Sequence, residues 1–369
     1  MKVAFAGGGT GGHIYPAIAI ADALRDRADV LFIGSPEGVE NTLVPAAGYE
    51  LATIESSPLQ RGNSLGMLRT AAANTIGIAQ GVGVLRAFDP DIVIATGGYV
   101  CFPAMAAARI LRGVRRAPAL ALLEPNARPG LANRLLAPIV DEVWGAFPEP
   151  DRAFAQKYVY TGVPVRASLL RPDNRIEAAR RLGLDASRRT ILAIGGSQGA
   201  RTINEAVSAL VTRRALPSSW QLLHICGERD YEYMQAAERT PFAGNLAVLV
   251  AYMPDMSDAY AVCDLAIARA GASTLGELTA LGIPALLVPY PFAAEDHQAT
   301  NARMLAETGA AVVIADSELN ADSLWWTLRE VMQPDHLDRM RSAARLRSHR
   351  DPVTTILARV EALVTKNES

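Results

Sequence analysis

The chain has 369 residues, half of them apolar and a fifth charged, the balance of a soluble folded protein of about two domains. Its 36 Lys and Arg against 38 Asp and Glu leave a formal charge of -2, so no nucleic-acid partner is expected. Cys101, Cys226 and Cys263 are scattered and form no CxxC pair, which argues against a zinc site or a disulfide framework and for a reducing compartment.

The N-terminus, Met1-Lys2-Val3-Ala4-Phe5-Ala6, runs straight into glycines and reads as a first strand rather than a signal peptide. Apolar runs then alternate with segments of helical period, the pattern of parallel sheets flanked by helices. Strands are predicted over 2–6, 30–33, 91–95, 119–123 and 142–146, and again over 190–194, 221–225, 247–251, 265–268, 285–288 and 311–314. The stretch between Arg69 and Arg86 comes nearest to a membrane span, but Thr70, Asn74, Thr75, Gln80 and its glycines make it too polar, and it is too short.

The two halves open alike. Val3-Ala4-Phe5-Ala6 leads into GGGTGG, and Ile191-Leu192-Ala193-Ile194 leads into GGSQGA 188 positions later. The expected fold class is therefore α/β, with two Rossmann-like doubly wound domains. Gly and Pro in Thr161-Gly162-Val163-Pro164 place the boundary there, giving domains 1–161 and 162–349. A last helix, about 352–364, follows Asp351-Pro352, and the tail 350–369 is expected to pack back on the first domain.

The first loop contains Gly7-x-Gly9-x-x-Gly12 ahead of a helix expected to begin near Pro16. Glycines let a backbone approach an anion, and a helix N-terminus adds N–H groups and a positive dipole end. A nicotinamide dinucleotide site would want an acid at the end of the second strand, where this chain has Gly34-Ser35, with Glu37 the first acid. His13 follows the loop, at the carboxyl side of a parallel sheet. It reads either as a general base, its proton affinity lying near working pH, or as a cap on its own helix.

Thr96-Gly97-Gly98-Tyr99 makes a second strand–glycine–helix junction, and Arg269-Ala270-Gly271-Ala272-Ser273-Thr274 a comparable one in the second half. Repeated junctions of this kind suggest sites for phosphate groups, with Arg269 offsetting their charge. Thr274-Leu275-Gly276-Glu277 fits a capping box, while Glu277 could equally accept hydrogen bonds from a ribose. Glu295-Asp296-His297-Gln298 is either a charged helix start or a grip on a sugar. Arg109, Arg112, Arg115 and Arg116 beside the apolar 65–88 segment suit an anionic lipid surface, or simply a solvated face.

Taken in order, GGGTGGHIYPAIAIA from Gly7, LVPAAGYE from Leu43, ATGGYVCFPA from Ala95, GVPVR from Gly162 and GGSQGARTIN from Gly195 are spread over residues 7–204. ARAGASTLGELTALGIPALLVPYP from Ala268 and DHQATNA from Asp296 follow. Together these blocks resemble the MurG family of bacterial glycosyltransferases over nearly the whole chain. The resemblance implies a GT-B fold whose two domains face a cleft, and an inverting transfer of N-acetylglucosamine from UDP-GlcNAc. The implied acceptor is the muramyl 4-hydroxyl of undecaprenyl-pyrophosphoryl-MurNAc-pentapeptide, a polyprenyl-pyrophosphoryl lipid. It further implies no cofactor or metal, and a peripheral position on the anionic inner face of the cytoplasmic membrane.

By matching position, Thr10, Gly11, Gly12, Asn126, Arg166, Ser197, Met253, Arg269, Ala270, Gly271, Ala272, Ser273, Thr274, Leu275, Glu277, His297 and Gln298 are implied to hold the donor. Gly9, Gly97, Gly98 and Tyr99 are assigned to the acceptor diphosphate, His13 to proton removal, and Glu40 as a second acidic candidate. Where the family commonly has His-Glu-Gln-Asn this chain has Leu123-Glu124-Pro125-Asn126, which bears on contacts near Asn126. Where some members pair two glutamines it has His297-Gln298, which bears on the side chain that meets the sugar. The alternatives are a related transferase with another lipid acceptor, a UDP-GlcNAc 2-epimerase, and a non-catalytic nucleotide-sugar-binding protein.

Overall fold

Runs such as Val3-Ala4-Phe5-Ala6 and Ile92-Val93-Ile94-Ala95 leave no face for water, so they form strands covered on both sides. A computed structural model describes residues 1–58, 64–112, 118–149, 151–154, 156–170, 174–196, 199–213, 216–237, 247–347 and 351–368. The chain forms two compact units, Met1–Arg166 with Arg350–Ser369, and Ala167–His349.

The first unit runs β1 (Lys2–Gly7), α1 (Gly11–Leu24), β2 (Asp29–Gly34), α2 (Glu40–Ala46), β3 (Glu50–Thr53), α3 (Ser64–Phe88) and β4 (Ile92–Gly97). It continues with α4 (Cys101–Leu111), β5 (Ala119–Glu124), α5 (Leu131–Leu136), β6 (Glu142–Gly145) and β7 (Tyr158–Tyr160). The sheet order is β3-β2-β1-β4-β5-β6-β7, and every pairing is parallel. Alternation along β1 and β4 sends Ala4, Ala6, Val93 and Ala95 to one core, with Leu85, Ala104 and Met105. Val3, Phe5, Ile92 and Ile94 go to the other, with Ile14 and Ile18.

The second unit runs α6 (Ala167–Leu170), α7 (Arg175–Leu182), β8 (Arg189–Ile194), α8 (Arg201–Arg213), β9 (Trp220–Ile225), α9 (Glu228–Ala237) and β10 (Ala247–Val250). Next come α10 (Ser257–Val262), β11 (Cys263–Ala268), α11 (Ala272–Leu281), β12 (Ala285–Leu287), α12 (His297–Glu307), β13 (Ala311–Val313), α13 (Ala321–Val331) and α14 (Pro334–Arg347). Its parallel sheet has the order β10-β9-β8-β11-β12-β13. A closing helix, α15 (Pro352–Glu368), belongs to the first unit. There it inserts Ile356, Val360 and Leu363 beside Phe5 and Trp144, and Arg359 forms an ion pair with Glu142 of β6.

In each sheet the strand order reverses between two central strands, β1 and β4 in the first and β8 and β11 in the second. Ligands of open α/β sheets bind outside the carboxyl ends of the strands at such a reversal. The glycine-rich loops that follow these four strands are therefore where chemistry is to be sought.

Three sequence expectations are corrected. Edge strands β3 and β7 were not foreseen: Glu50 and Thr53 are exposed, and β7 has only three half-buried residues, so neither makes an apolar run. The first helix begins at Gly11, not near Pro16, which lies inside it. Thr274 and Glu277 form no capping box, because α11 starts earlier, with Gly271 at its N-cap and no side-chain cap.

Candidate functional site

In the first unit, the loops after β1 and β4 interlock. The N–H of Gly8 donates to the Gly97 carbonyl at 3.2 Å. Gly98, at φ +92°, leaves no room for a side chain, since a Cβ there would meet the Gly8 carbonyl oxygen at 2.3 Å. Cys101 ties the junction from below, its Sγ accepting from Gly97 N at 3.2 Å and donating to Ala6 O at 3.1 Å. Burial pushes that thiol up to about 12, so it acts as a neutral hydrogen-bonding group. Spacing gave no signal for Cys101.

His13 lies in the first turn of α1 and turns across to β4, where its Nδ1 sits 3.2 Å from the Thr96 carbonyl oxygen. A carbonyl can only accept, so Nδ1 carries the proton and Nε2 is the basic nitrogen of the neutral ring. That contact runs to β4 rather than to the backbone of α1. Gly97, at φ +116°, makes room for the ring, since a Cβ there would lie 2.2 Å from Nδ1.

Glu40 is not placed as a base. Its carboxylate is fully buried and accepts from Gly9 N at 2.9 Å, Ser35 N at 2.8 Å and Ser35 Oγ at 2.7 Å. Burial alone would raise its pKa, but the Ser35 and Gly9 hydrogen bonds outweigh it and hold the carboxyl below the usual range. Gly9 is corrected with it: its N–H goes to Glu40 and not to a diphosphate, so Gly9 contributes only shape. Thr10 is the exposed N-cap residue of α1, and Gly11 and Gly12 form its first turn with His13. Tyr99 is well exposed beside the Gly97-Gly98 turn.

At the end of β5, Glu124 is 3% exposed and accepts from Asn126 N at 2.9 Å, Asn126 Nδ2 at 3.1 Å and Asn133 Nδ2 at 2.6 Å. Burial raises its pKa to about 7, these hydrogen bonds offsetting only part of the effect. Asn126 is thus folded back on Glu124. Leu123, at the position where the family commonly has histidine, is a core residue with no exposed surface. Arg166 stacks its guanidinium 4.5 Å from the Tyr15 ring, so the two residues form a cation–π pair within the unit.

In the second unit, Ser197 lies outside the described residues, between Gly195 and Gly199 after β8. Gly199 is pressed onto the Cys226 carbonyl, which in turn accepts from Asn204 Nδ2 at 2.8 Å. Asn204 also donates to Asp230 at 3.0 Å and meets His224 Nε2 at 3.0 Å, a buried polar chain supporting the loop. Met253 is half-buried between β10 and α10.

After β11, Gly271 opens the ten-residue helix α11 with its first turn, Ala272, Ser273 and Thr274, at the carboxyl end of the sheet. Ala270 and Leu275 are core side chains, so only their backbone can meet a ligand; the Ala270 carbonyl accepts from Asn301 Nδ2 at 3.3 Å. Arg269 is corrected: its guanidinium is paired with Asp316 and donates to the Val288 and Pro289 carbonyls, so its charge is already matched. It also stacks on Tyr290. Glu277 accepts from Tyr260 Oη at 2.6 Å, a partner that motif spacing does not reveal.

His297 and Gln298 differ in role. His297 Nδ1 contacts the Ala294 carbonyl at 2.6 Å and holds its own loop. Gln298 Oε1 accepts from Tyr290 N at 3.0 Å, so what Gln298 can offer a ligand is its Nε2 donor.

Of the arginine cluster, Arg109 is exposed, Arg112 is tied to Asp141 and the Pro118 carbonyl, and Arg115 and Arg116 lie outside the described residues. Arg112 is therefore not a cation for lipid. No helix among the described residues is long and apolar enough to cross a membrane.

Residues 3–144 match the glycosyltransferase family 28 N-terminal domain, and residues 190–356 match its C-terminal domain. A UDP-N-acetylglucosamine--N-acetylmuramyl-(pentapeptide) pyrophosphoryl-undecaprenol N-acetylglucosamine transferase of Halothermothrix orenii is 42% identical over 341 residues, 90% of each chain. A transferase of the same name from Desulforamulus reducens is 38% identical over the full length of both chains. The crystal structure of Acinetobacter baumannii MurG is similar with a TM-score of 0.77 at 28% identity, covering 98% of this chain and 99% of that one.

Proposed function

The chain belongs to the MurG family within glycosyltransferase family 28, and from that membership we propose what its individual residues do. It transfers N-acetylglucosamine from UDP-GlcNAc to undecaprenyl-pyrophosphoryl-MurNAc-pentapeptide, a step of peptidoglycan synthesis. The first unit supplies the base and receives the acceptor, and the second holds the nucleotide sugar.

In an inverting displacement the muramyl 4-hydroxyl oxygen attacks the anomeric carbon, the bond from that carbon to the diphosphate breaks, and UDP leaves with the electron pair. His13 Nε2 takes the hydroxyl proton as the new bond forms, because Nδ1–H is committed to Thr96. The negative charge of the departing UDP is stabilised by the N-terminus of α11 at Gly271 to Thr274, rather than by Arg269. Glu277 accepts from the ribose hydroxyls, and Gln298 Nε2 donates to a sugar hydroxyl. The acceptor diphosphate lies against the Gly97-Gly98-Tyr99 turn. The exposed Met67, Leu68, Ile76 and Arg69 of α3 hold the enzyme peripherally on the anionic inner face of the membrane. Co-sedimentation with anionic vesicles, weakened by Leu68→Glu, checks that last point.

The observation that carries the catalytic reading is the 3.2 Å contact between His13 Nδ1 and the Thr96 carbonyl, since a partner that can only accept supports a protonated Nδ1 and a basic Nε2. The test is UDP release from radiolabelled UDP-GlcNAc, with and without an acceptor lipid analogue. Release is expected only with acceptor, and His13→Ala should lower kcat by about 10²–10⁴-fold while donor affinity is retained. Donor turnover indifferent to acceptor would overturn the reading.

A further inference from the structure

The phenol of Tyr260 on α10 donates to Glu277 Oε2 on α11 at 2.6 Å, the length of a charge-assisted O–H to carboxylate bond. Tyr260 is 5% exposed, and its ring is fixed by burial, while Glu277 is only half-buried. Between the two in sequence lie β11 and the Arg269 to Gly271 loop, so the bond clasps the two sides of the segment that opens α11. An unaided glutamate side chain loses rotamer freedom when a ligand immobilises it. A buried tyrosine has two χ angles and has already lost that freedom on folding.

We propose that Tyr260 is a positioning residue for the nucleotide: it pre-sets the Glu277 carboxylate to receive the vicinal hydroxyls of a ribose. This rests on the reading in which Glu277 takes the ribose. A carboxylate accepts up to about four hydrogen bonds, so the Tyr260 bond and a ribose contact are compatible on one group. The phenol touches neither the reacting carbon nor the leaving oxygen, so its effect falls on donor binding and on selection of ribose over deoxyribose, not on the chemical step.

The test compares UDP-GlcNAc with its 2′-deoxyuridine analogue in the full-length wild type, Tyr260→Phe, Glu277→Ala and the double variant. Tyr260→Phe is expected to raise the KM for UDP-GlcNAc about three- to tenfold, leave kcat within about twofold, and shrink the preference for ribose. In the Glu277→Ala background the same change should add little further loss. Calorimetric titration with UDP gives the same comparison independently of turnover, and thermal unfolding of each variant reports on folding. If Tyr260→Phe keeps the full ribose preference while Glu277→Ala loses it, the positioning role is wrong and the ribose reading of Glu277 stands. If Glu277→Ala keeps the preference, the ribose reading fails and the positioning role with it. A purely structural Tyr260 would lower the unfolding midpoint and weaken both nucleotides by the same factor, and that result also overturns the proposal.

Discussion

The main-chain N–H of Gly9 donates to Glu40 Oε2 at 2.9 Å, so this carboxylate shapes the first glycine loop. Two more donors, Ser35 N and Oγ, bind the same carboxylate. Glu40→Ala leaves all three without their partner in a buried site, and a stability loss of roughly 2–4 kcal/mol is expected from urea unfolding. The sign of the pH effect follows from the lowered carboxyl: the stabilisation is present above about 4.5 and is lost as pH falls through the folded value. A Glu40→Gln protein of unchanged stability with a shifted pH–rate profile would instead restore Glu40 as a base.

Glu124 titrates in the opposite sense. Burial raises its carboxyl from the ordinary 4.5 to about 7, so the folded chain keeps a proton that the unfolded chain releases. Its contribution is full below about 4.5 and declines as pH rises through about 7. Measured between pH 5 and 8, the wild-type unfolding midpoint should fall more steeply than that of Glu124→Gln. Parallel slopes for the two proteins would show that Glu124 does not titrate in this interval.

Much of the architecture could be read from the sequence because its central strands are buried on both faces and so appear as unbroken apolar runs. Val3 to Ala6 and Ile191 to Ile194 are examples, each followed by glycines at the point where strand order reverses. Half-wet or short strands such as Glu50–Thr53 give no such signal. The site was legible as loops but not as roles. The resemblance offered Glu40 as a second acidic candidate, and spacing offered Arg269 as a phosphate ligand and Glu277 as either a helix cap or a ribose acceptor. What assigns them otherwise is contact with residues distant in sequence: Gly9, Asp316 and Tyr260. Asp316 and Tyr260 belong to no motif, and only the fold brings them to their partners.

Asp316 links three parts of the second unit. It pairs with Arg269, accepts from Thr202 Oγ1 at 3.2 Å, and through Arg269 reaches the carbonyls of Val288 and Pro289. The Arg269 and Asp316 side chains are only 12% and 18% exposed, so breaking the pair leaves a poorly hydrated cation. Asp316→Asn should lower stability by roughly 1–3 kcal/mol and raise the KM for UDP-GlcNAc several-fold while affecting kcat less. An unchanged KM together with unchanged stability would show that the pair organises nothing.

Gly97 gives the sharpest separation of fold from chemistry. Its φ of +116° disfavours any L side chain, and a Cβ would sit 2.2 Å from His13 Nδ1, so the ring or the turn must move. Gly83, on the exposed side of α3, has nothing within 4 Å of a built Cβ and serves as the control. Gly83→Ala should gain about 0.5–1 kcal/mol of stability and keep full activity, because alanine favours a helix. Gly97→Ala should lose about 10²-fold or more in kcat, since small displacements of a catalytic group cost that much, while calorimetric affinity for UDP-GlcNAc stays near wild type. On the proposed reading Nε2 would then no longer be held to take the acceptor proton, while the residues proposed to bind the donor are untouched. Full kcat in a folded Gly97→Ala protein would mean that the His13 position seen against Thr96 is not the one that works in catalysis.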